Sequence, residues 1–534
     1  MIRPLLLGFA MIFYTAAYPQ DNNITSVGHL PYPTHLLNCV WGYNERNGNE
    51  YALVGTYDGI SIVDISSPSS PCEVHFIPTV NSVWKDIQTY SHYAYIVHGI
   101  YNGTQEEADG LLIIDLNGIG SDDLSPYIHR YKTPEYQTAH NIFIDDNTGL
   151  AYLFGVQERG GALILNLKES PTSPSICGSY DRTYLHDGYV RDGILYGCAD
   201  KDGRFIIIDV SDPSSPREIN SAQTPNRTTH NAWLSDDGHT LFTTDEKMSA
   251  YISSYDVSNH KNIRTLGKVR AADYSQAIPH NATVVGDFIF TSYYNQGVKI
   301  FDASQADNMI EVASYQTCTG GSRGQFDGAW GIYPYMDSGL VLVSDMNTGL
   351  HILRPTLTKA AYLRGNITDE EGRAIFNASL RFTDDKSCTY SDIDGTYRTG
   401  STREGLREIE INADGYHSVK MDVVMRSGIT TSRDIILKKI EGDSSSQIME
   451  TYVRAYPNPF YADRLLNVEY SFDGGIDDRA YLEIMDMAGR TLYHQELYNN
   501  QGIVIVGKEL SRGTYLLRVV NGTRYSRVIK IVKA

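Results

Sequence analysis

A short cassette recurs along the first two thirds of the chain and constrains its fold more than any other feature. Each copy is an apolar strand that usually starts at a glycine and ends at a polar residue, and the copies follow at intervals of about 42 to 52 residues. Short strands with this period are typical of a β-propeller, whose four-stranded blades cover their apolar faces only against one another. The seven copies, which predict seven blades, are Gly59–Asp64, Gly110–Asp115, Gly161–Asn166, Gly203–Asp209, the degenerate Tyr251–Asp256, Gly297–Asp302 and Gly349–Arg354.

The repeat ends near residue 357, and the remaining chain predicts two smaller domains. Residues 358–440 alternate short strands with acidic-glycine turns, which indicates a β-sandwich. Residues 441–451 are polar and predict a linker. Residues 452–534 hold several strands joined by tight turns and predict a second sandwich. The predicted fold class is therefore all-β, a seven-bladed β-propeller at 28–357 followed by two small β-sandwich domains.

The N-terminus has the pattern of a secretory signal peptide. Arg3 precedes an apolar run, and Thr15, Ala16 and Ala17 form a small-residue exit, so residues 1–17 are predicted to be removed on export. No other stretch approaches the roughly 20 apolar residues of a membrane helix, and no transmembrane segment is expected. Six cysteines lack metal-ligand spacing, and outside the cell they are either disulfide partners or buried thiols.

The composition excludes one class of partner. The net charge is −19 and the isoelectric point is near 5.2, whereas nucleic-acid binding needs clustered Lys and Arg, so no nucleic-acid partner is expected. The chain also lacks the G-x-S-x-G, P-loop and H-E-x-x-H motifs. No residue is therefore assigned a catalytic role.

One position of the repeat stands out because it carries histidine or tryptophan in every blade. Aligning the cassettes places these residues where each blade's first strand begins, a position that faces the central tunnel of a propeller. Blades 3 to 6 are expected to give an arc of imidazoles, and blades 7, 1 and 2 an arc of indoles. The predicted ligand-binding ring is Trp41, Trp84, His140, His186, His230, His280 and Trp330.

Two interpretations of this ring remain open. Neutral imidazoles bind zinc, copper or nickel, so His140, His186, His230 and His280 could hold a transition metal, with Asp58, Asp200, Asp245, Glu246 or Asp345 completing its shell. Indole faces stack on apolar rings or attract cations. Alternatively, each residue fills the tunnel and bonds to the next blade, because a repeated residue usually serves the repeated fold.

Three segments resemble known families. The cassettes resemble the LVIVD-repeat propeller of choice-of-anchor B proteins, and 358–440 is similar to carboxypeptidase regulatory-like domains, which are non-catalytic spacers. The end of the chain resembles a type IX secretion C-terminal sorting domain, on the residues Tyr456–Pro459, Asp486–Gly489 and Leu510–Tyr515. This resemblance implies the type IX secretion machinery as a partner, removal of the tail, and attachment to surface lipopolysaccharide or release.

The expected protein is therefore secreted or displayed on the outer membrane exterior of a Gram-negative cell, where its propeller binds an unknown extracellular ligand. A metal-dependent extracellular hydrolase or lyase that uses the His ring is the main alternative. An inert adhesive or structural scaffold is the third.

Overall fold

The computed structural model describes the chain from residue 22 to residue 533, with several internal gaps. The described ranges are 22–99, 108–157, 159–271, 277–318, 326–385, 388–392, 394–413, 415–440, 452–460, 465–472, 476, 480–487, 489–522, 524–526 and 528–533. The predicted signal peptide at 1–17 and the predicted linker at 441–451 lie outside them. Within these ranges, no helix has the length and apolar character needed to cross a membrane.

Seven four-stranded antiparallel sheets form the first part of the structure and correspond to seven propeller blades. The chain enters at β1 (Ile24–Leu30) and then builds the blades in order, with each predicted cassette as the third strand of its blade. Blade 1 comprises β2 (Leu37–Asn44), β3 (Glu50–Thr56), β4 (Gly59–Asp64) and β5 (Cys72–Pro78); blade 2 comprises β6 (Lys85–Tyr90), β7 (Tyr93–His98), β8 (Leu111–Asp115) and β9 (Ile128–Tyr131). Blade 3 comprises β10 (Asn141–Asp145), β11 (Leu150–Phe154), β12 (Ala162–Asn166) and β13 (Ser175–Tyr180); blade 4 comprises β14 (Asp187–Arg191), β15 (Ile194–Ala199), β16 (Arg204–Asp209) and β17 (Arg217–Gln223). Blade 5 comprises β18 (Thr229–Leu234), β19 (Thr240–Asp245), β20 (Ile252–Asp256) and β21 (Arg264–Val269); blade 6 comprises β22 (Ala282–Val285), β23 (Phe288–Ser292), β24 (Val298–Asp302) and β25 (Ile310–Tyr315); blade 7 comprises β26 (Ala329–Tyr333), β27 (Val341–Asp345) and β28 (Gly349–Pro355). Short 3-10 helices at Leu116–Gly118 and Ser125–Tyr127 connect β8 to β9.

The ring closes through the N-terminal strand. β1 pairs with β28 and supplies the fourth strand of blade 7, so residues from both ends of the propeller share one sheet. β1 begins at Ile24, ahead of the boundary predicted at residue 28. The innermost strands then contact one another in the cyclic order β2, β6, β10, β14, β18, β22, β26 and back to β2.

Apolar side chains between neighbouring blades form the cores of the propeller. Ile60 and Ile62 of β4, for example, pack with Ile87 of β6 and Leu112 and Ile114 of β8. Such third strands are buried on both faces, which explains why the cassettes are continuous apolar runs rather than alternating ones. Each blade consequently depends on its neighbours for the burial that stabilises it.

A second compact unit begins at Ala361, and its sheets pack around two cores. The first core lies between the sheets β32-β29-β35, with β36 also on β29, and β31-β30-β33-β34. The second lies between β37-β38-β41 and β40-β39-β42-β43, with β44 also on β42. These strands are β29 (Ala361–Asp369), β30 (Ser379–Phe382), β31 (Cys388–Tyr390), β32 (Thr396–Ser401), β33 (Gly405–Asn412), β34 (Val419–Met425), β35 (Thr430–Ser432), β36 (Ile435–Leu437), β37 (Tyr452–Tyr456), β38 (Leu466–Ser471), β39 (Ala480–Met485), β40 (Thr491–Glu496), β41 (Gln501–Val506), β42 (Gly513–Asn521), β43 (Arg524–Tyr525) and β44 (Ile529–Lys533).

The six cysteines are unpaired. Cys39, Cys198 and Cys318 are buried thiols, whereas Cys72 and Cys388 are exposed. Of the two alternatives that the sequence left open, disulfide pairing therefore does not apply in this structure.

Candidate functional site

The predicted ring lies at one face of the propeller, where the innermost strands begin. Because the strands of each blade are antiparallel, the turn between its second and third strands and the end of its fourth strand lie at this same face. We call it the ring face. The structure brings six of the seven predicted residues together around one cavity: Trp84, His140, His186, His230, His280 and Trp330.

These six side chains form a continuous arc of rings. The centroid of Trp84 lies 5.8 Å from that of His140, and successive imidazole centroids from His140 to His280 are 4.1, 4.3 and 4.4 Å apart. Trp330 follows at 4.8 Å from His280. The alignment of the cassettes therefore predicted a true spatial neighbourhood from positions that are far apart in the sequence.

Trp41 lies outside the ring, and Cys39 takes its position in blade 1. In blades 5 and 7 a bulge of one residue holds His230 or Trp330 before the regular pairing of the strand resumes. Blade 1 has a longer bulge, between Leu37 and Val40, so Cys39 rather than Trp41 lines the cavity. The Trp41 ring instead packs against Tyr333 at 4.8 Å.

Trp41 belongs to a second aromatic group further along the innermost strands, which we call the aromatic arc. Its members contact one another from blade 3 to blade 1 at centroid distances of 4.8 to 6.2 Å. The aromatic arc comprises Phe143, Tyr189, Trp233, Tyr335, Tyr333 and Trp41.

The cavity inside the ring has a volume of about 30 Å³. A single water needs roughly 10 to 15 Å³ measured in this way, so the space suits one or two waters or a metal ion. An organic ligand does not fit inside the ring, and any larger partner would have to contact the ring face.

The ring imidazoles are neutral at pH 7. Burial lowers the pKa of His140 to about 4 and that of His280 to about 3. Burial and the adjacent imidazoles also place the pKa of His186 and of His230 well below the usual range. Neutral imidazoles carry lone pairs for a metal but no charge with which to hold an anion.

Glu246 lies beside two of these imidazoles. Its Oε2 is 3.6 Å from Nε2 of His230, and its Oε1 is 3.9 Å from Nε2 of His280. Nδ1 of His280 donates a hydrogen bond of 2.7 Å to the Trp330 carbonyl, which leaves Nε2 as the acceptor nitrogen. The hydroxyl of Tyr294 donates to Glu246, while burial raises the pKa of that carboxyl to about 7.

His230, Glu246 and His280 form the group among the described residues whose ligand atoms converge closely enough to hold a metal ion, all within 4.8 Å of one another. Two of the four predicted metal ligands are therefore in this group, and His140 and His186 are not. Among the predicted acidic residues, Asp245 and Asp345 instead accept backbone N–H groups of nearby turns.

Lys85 also lines the cavity, although no sequence pattern marked it as a site residue. Its Nζ donates to the carbonyls of Thr56 and Tyr57 at 2.7 and 2.8 Å, and burial lowers its pKa to about 8. These bonds tie blade 2 to blade 1. Lys85 is therefore a structural cation whose bonds are satisfied.

Known families match the C-terminal segment of the chain and parts of blades 1 and 4. Residues 454–534 match the secretion system C-terminal sorting domain, and residues 48–79 and 195–224 match the LVIVD repeat. A solved structure, the β-propeller domain of Cps50 (Swd1) from Myceliophteria thermophila, is 13% identical with a TM-score of 0.43, and the match covers 62% of this chain and all of that one. A search of curated proteins finds no match. The chain is thus an LVIVD-repeat β-propeller protein with a type IX sorting domain, which indicates export to the cell surface or beyond.

Proposed function

We propose that this chain is a recognition protein on the exterior of a Gram-negative cell, with the ring face of its propeller as the binding surface. The observation that carries the proposal is the position of the exposed apolar side chains. Four large ones lie in connections at the ring face, and aromatic or methionine side chains in such positions commonly anchor partners. They are Leu36 (47% exposed), Tyr57 (40%), Met248 (44%) and Phe326 (50%).

The lengths of the connections favour the same face. The chain between β7 and β8, between β21 and β22 and between β25 and β26 is longer than the other connections at the ring face, and binding residues are disproportionately carried on such loops over a rigid scaffold. Trp84 and Trp330 at the ring would lie beneath a ligand held there.

The test compares two variants of the full chain. One replaces Tyr57, Met248 and Phe326 with serine, and the control replaces Val74 and Ile176, which are exposed on the outer strands β5 and β13. Binding of each variant to arrays of extracellular glycans and matrix proteins is measured by biolayer interferometry.

We expect the ring-face variant to lose at least about tenfold in affinity for whichever array member the wild type binds, and the control to keep it. If the wild type binds no array member, or if both variants lose affinity equally, the recognition proposal fails and an inert scaffold is favoured.

A second candidate function is a metal-dependent extracellular hydrolase or lyase. It is favoured by His230, Glu246 and His280, since two imidazoles and a carboxylate also form catalytic zinc sites. The water-sized cavity disfavours it, because a substrate would need to reach the ion. Ester and glycoside hydrolysis by the metal-loaded chain, measured against the chelated chain, tests this candidate.

The two segments that follow the propeller have separate roles in this function. The sorting domain would be removed after passage through the type IX machinery, leaving the propeller released or attached to surface lipopolysaccharide. Residues 358–440 would act as a carboxypeptidase regulatory-like spacer of a choice-of-anchor B protein. The intact mass of protein recovered from native cells tests this, because a product that retains Lys533 contradicts removal.

A further inference from the structure

We propose that His230, Glu246 and His280 bind one divalent first-row transition ion, for which Zn²⁺ is the probe, and that this ion is a structural cross-link between blades 5 and 6. This inference goes beyond recognition at the ring face and does not depend on it. It rests on the convergence of three ligand atoms and on the separation of both imidazole Nε2 atoms from Glu246, which is longer than a hydrogen bond.

The separations of Glu246 from the two imidazole nitrogens are close to those between the ligands of a zinc site, and all three ligand atoms lie within 4.8 Å of one another. Zn–N and Zn–O bonds of about 2.0 to 2.2 Å place tetrahedral ligands roughly 3.3 Å apart. Glu246 lies 3.6 and 3.9 Å from the two imidazole nitrogens, so contraction by a few tenths of an ångström satisfies both contacts. The three side chains come from β18, from the residue after β19, and from the residues just before β22.

His230 lacks the partners that a buried histidine needs. It is 4% exposed, and its Nδ1 does not reach normal hydrogen-bond geometry, although a backbone group of His280 lies near enough to raise its pKa against the effect of burial. Its Nε2 has Glu246 at 3.6 Å, which is longer than a hydrogen bond. An imidazole left in this state is costly, since buried polar atoms are nearly always satisfied. An ion coordinated by Nε2 removes part of this deficit.

The outer contacts fit metal ligation. The Trp330 carbonyl accepts the Nδ1 proton of His280, which fixes the ring and presents Nε2, as partners of zinc-bound histidines commonly do. Tyr294 donates to Glu246 and orients its carboxylate. No Lys or Arg in the described part of the chain forms an ion pair with Glu246, so the cation that the carboxylate lacks would come from the ion.

The structural role follows from the origin of the ligands and from the space available. His230 and Glu246 belong to blade 5 and His280 to blade 6, so coordination adds a metal link between two blades that are already joined by hydrogen bonds, such as that from the Thr244 hydroxyl to the His280 carbonyl at 2.6 Å. The cavity beside the two histidines holds little more than water. Binding to the folded chain alone raises its stability by mass action.

The experiment uses the untagged full chain, stripped with a chelator and titrated with Zn²⁺ by calorimetry, with melting temperature measured alongside. The wild type should bind one Zn²⁺ per chain and melt several degrees higher when loaded. Glu246→Gln, which keeps an acceptor for Tyr294, and His280→Gln should each lose about 100-fold or more in affinity and lose the melting shift. His140→Gln, a ring histidine outside the group, is the matched control and should retain both.

Two results would overturn the proposal. In the first, the wild type binds no Zn²⁺ and melts at the same temperature in chelator and in zinc. In the second, the Glu246→Gln chain binds Zn²⁺ as tightly as the wild type. If Glu246→Gln does not fold, Glu246→Asp, which withdraws the carboxylate by one methylene, must weaken binding relative to His140→Gln. Equal affinity of these two also overturns it.

Discussion

The ring and the aromatic arc both lie along the innermost strands, but the polar atoms of the two groups differ in their hydrogen bonding. In the aromatic arc, the hydroxyl of Tyr335 donates to the Val284 carbonyl at 2.7 Å, and Nε1 of Trp41 donates to Thr89 at 3.1 Å. In the ring, Nε2 of His230 and Nε2 of His280 have Glu246 at 3.6 and 3.9 Å, which is longer than a hydrogen bond. These polar atoms of the aromatic arc therefore have hydrogen-bond partners within the protein, whereas the ring holds polar atoms that do not.

This difference separates stability from function within one tunnel. Rings that stack with their polar ends bonded contribute packing energy and need nothing more. Buried polar atoms without partners cost energy and persist where a ligand, ion or water completes them. Substitutions in the aromatic arc should therefore change stability alone, whereas substitution of His230 or His280 in the ring should also change Zn²⁺ binding.

The largest test of this separation is Trp233→Ala. Trp233 contacts Tyr189 at 4.9 Å, Phe143 at 6.0 Å and Tyr335 at 6.2 Å, so it is the centre of the aromatic arc. We expect a loss of about 3 kcal/mol in the free energy of unfolding, measured by urea denaturation, because the half-buried indole loses its packing against three neighbouring rings. Zn²⁺ affinity should stay within twofold of the wild type (a ratio of about 2, or roughly 0.4 kcal/mol). A fully stable variant with weakened Zn²⁺ binding would contradict the separation.

A smaller effect should appear on acidification, through the buried His98 on β7. Its Nε2 accepts the N–H of Asp109 at 3.2 Å, and burial lowers its pKa to about 4 despite the opposing charge of Asp109. Lys85 and Lys132 lower this pKa further. The unfolded chain, with a histidine pKa near 6.5, takes up the proton first, so the stability is present above pH 6.5 and is lost as the pH falls toward 4.

Between pH 7 and pH 5 this histidine should account for about 2 kcal/mol of lost stability. The measurement is the unfolding free energy of the wild type and of His98→Gln at both values. The unfolding free energy of His98→Gln should fall by about 2 kcal/mol less than that of the wild type between pH 7 and pH 5. Parallel pH profiles would show that His98 is not held neutral in the folded chain.

The sequence predicted much of this architecture and missed particular parts of it. The cassettes identified the third strand of every blade because those strands are buried on both faces. The closing strand was partly missed, since β1 pairs with a strand more than 300 residues away and shows no cassette. Such a nonlocal pairing leaves no periodic pattern.

The candidate site shows the same limit in finer detail. Four histidines in one repeat position were visible in the sequence, but the role of Glu246 was not distinguishable from that of Asp245, its neighbour, which accepts bonds within a turn. The fault at Trp41 came from the extra bulge residue in blade 1, because two residues rather than one lie between Leu37 and Val40 and Cys39 of these lines the cavity. Side-chain direction and bulges depend on packing that a single sequence does not display.

The smallest expected effect tests that correction directly, through Trp41→Phe. If Trp41 belongs to the aromatic arc, the variant should lose about 1 kcal/mol of stability, because the hydrogen bond to Thr89 is removed while an aromatic ring still faces Tyr333. Thr89→Val is the matched partner, and the double variant should cost little more than either single change, since both remove the same bond. Urea denaturation and Zn²⁺ titration of the three variants provide the measurement. If Trp41→Phe changed the Zn²⁺ affinity and Thr89→Val did not, Trp41 would belong to the ring rather than to the aromatic arc.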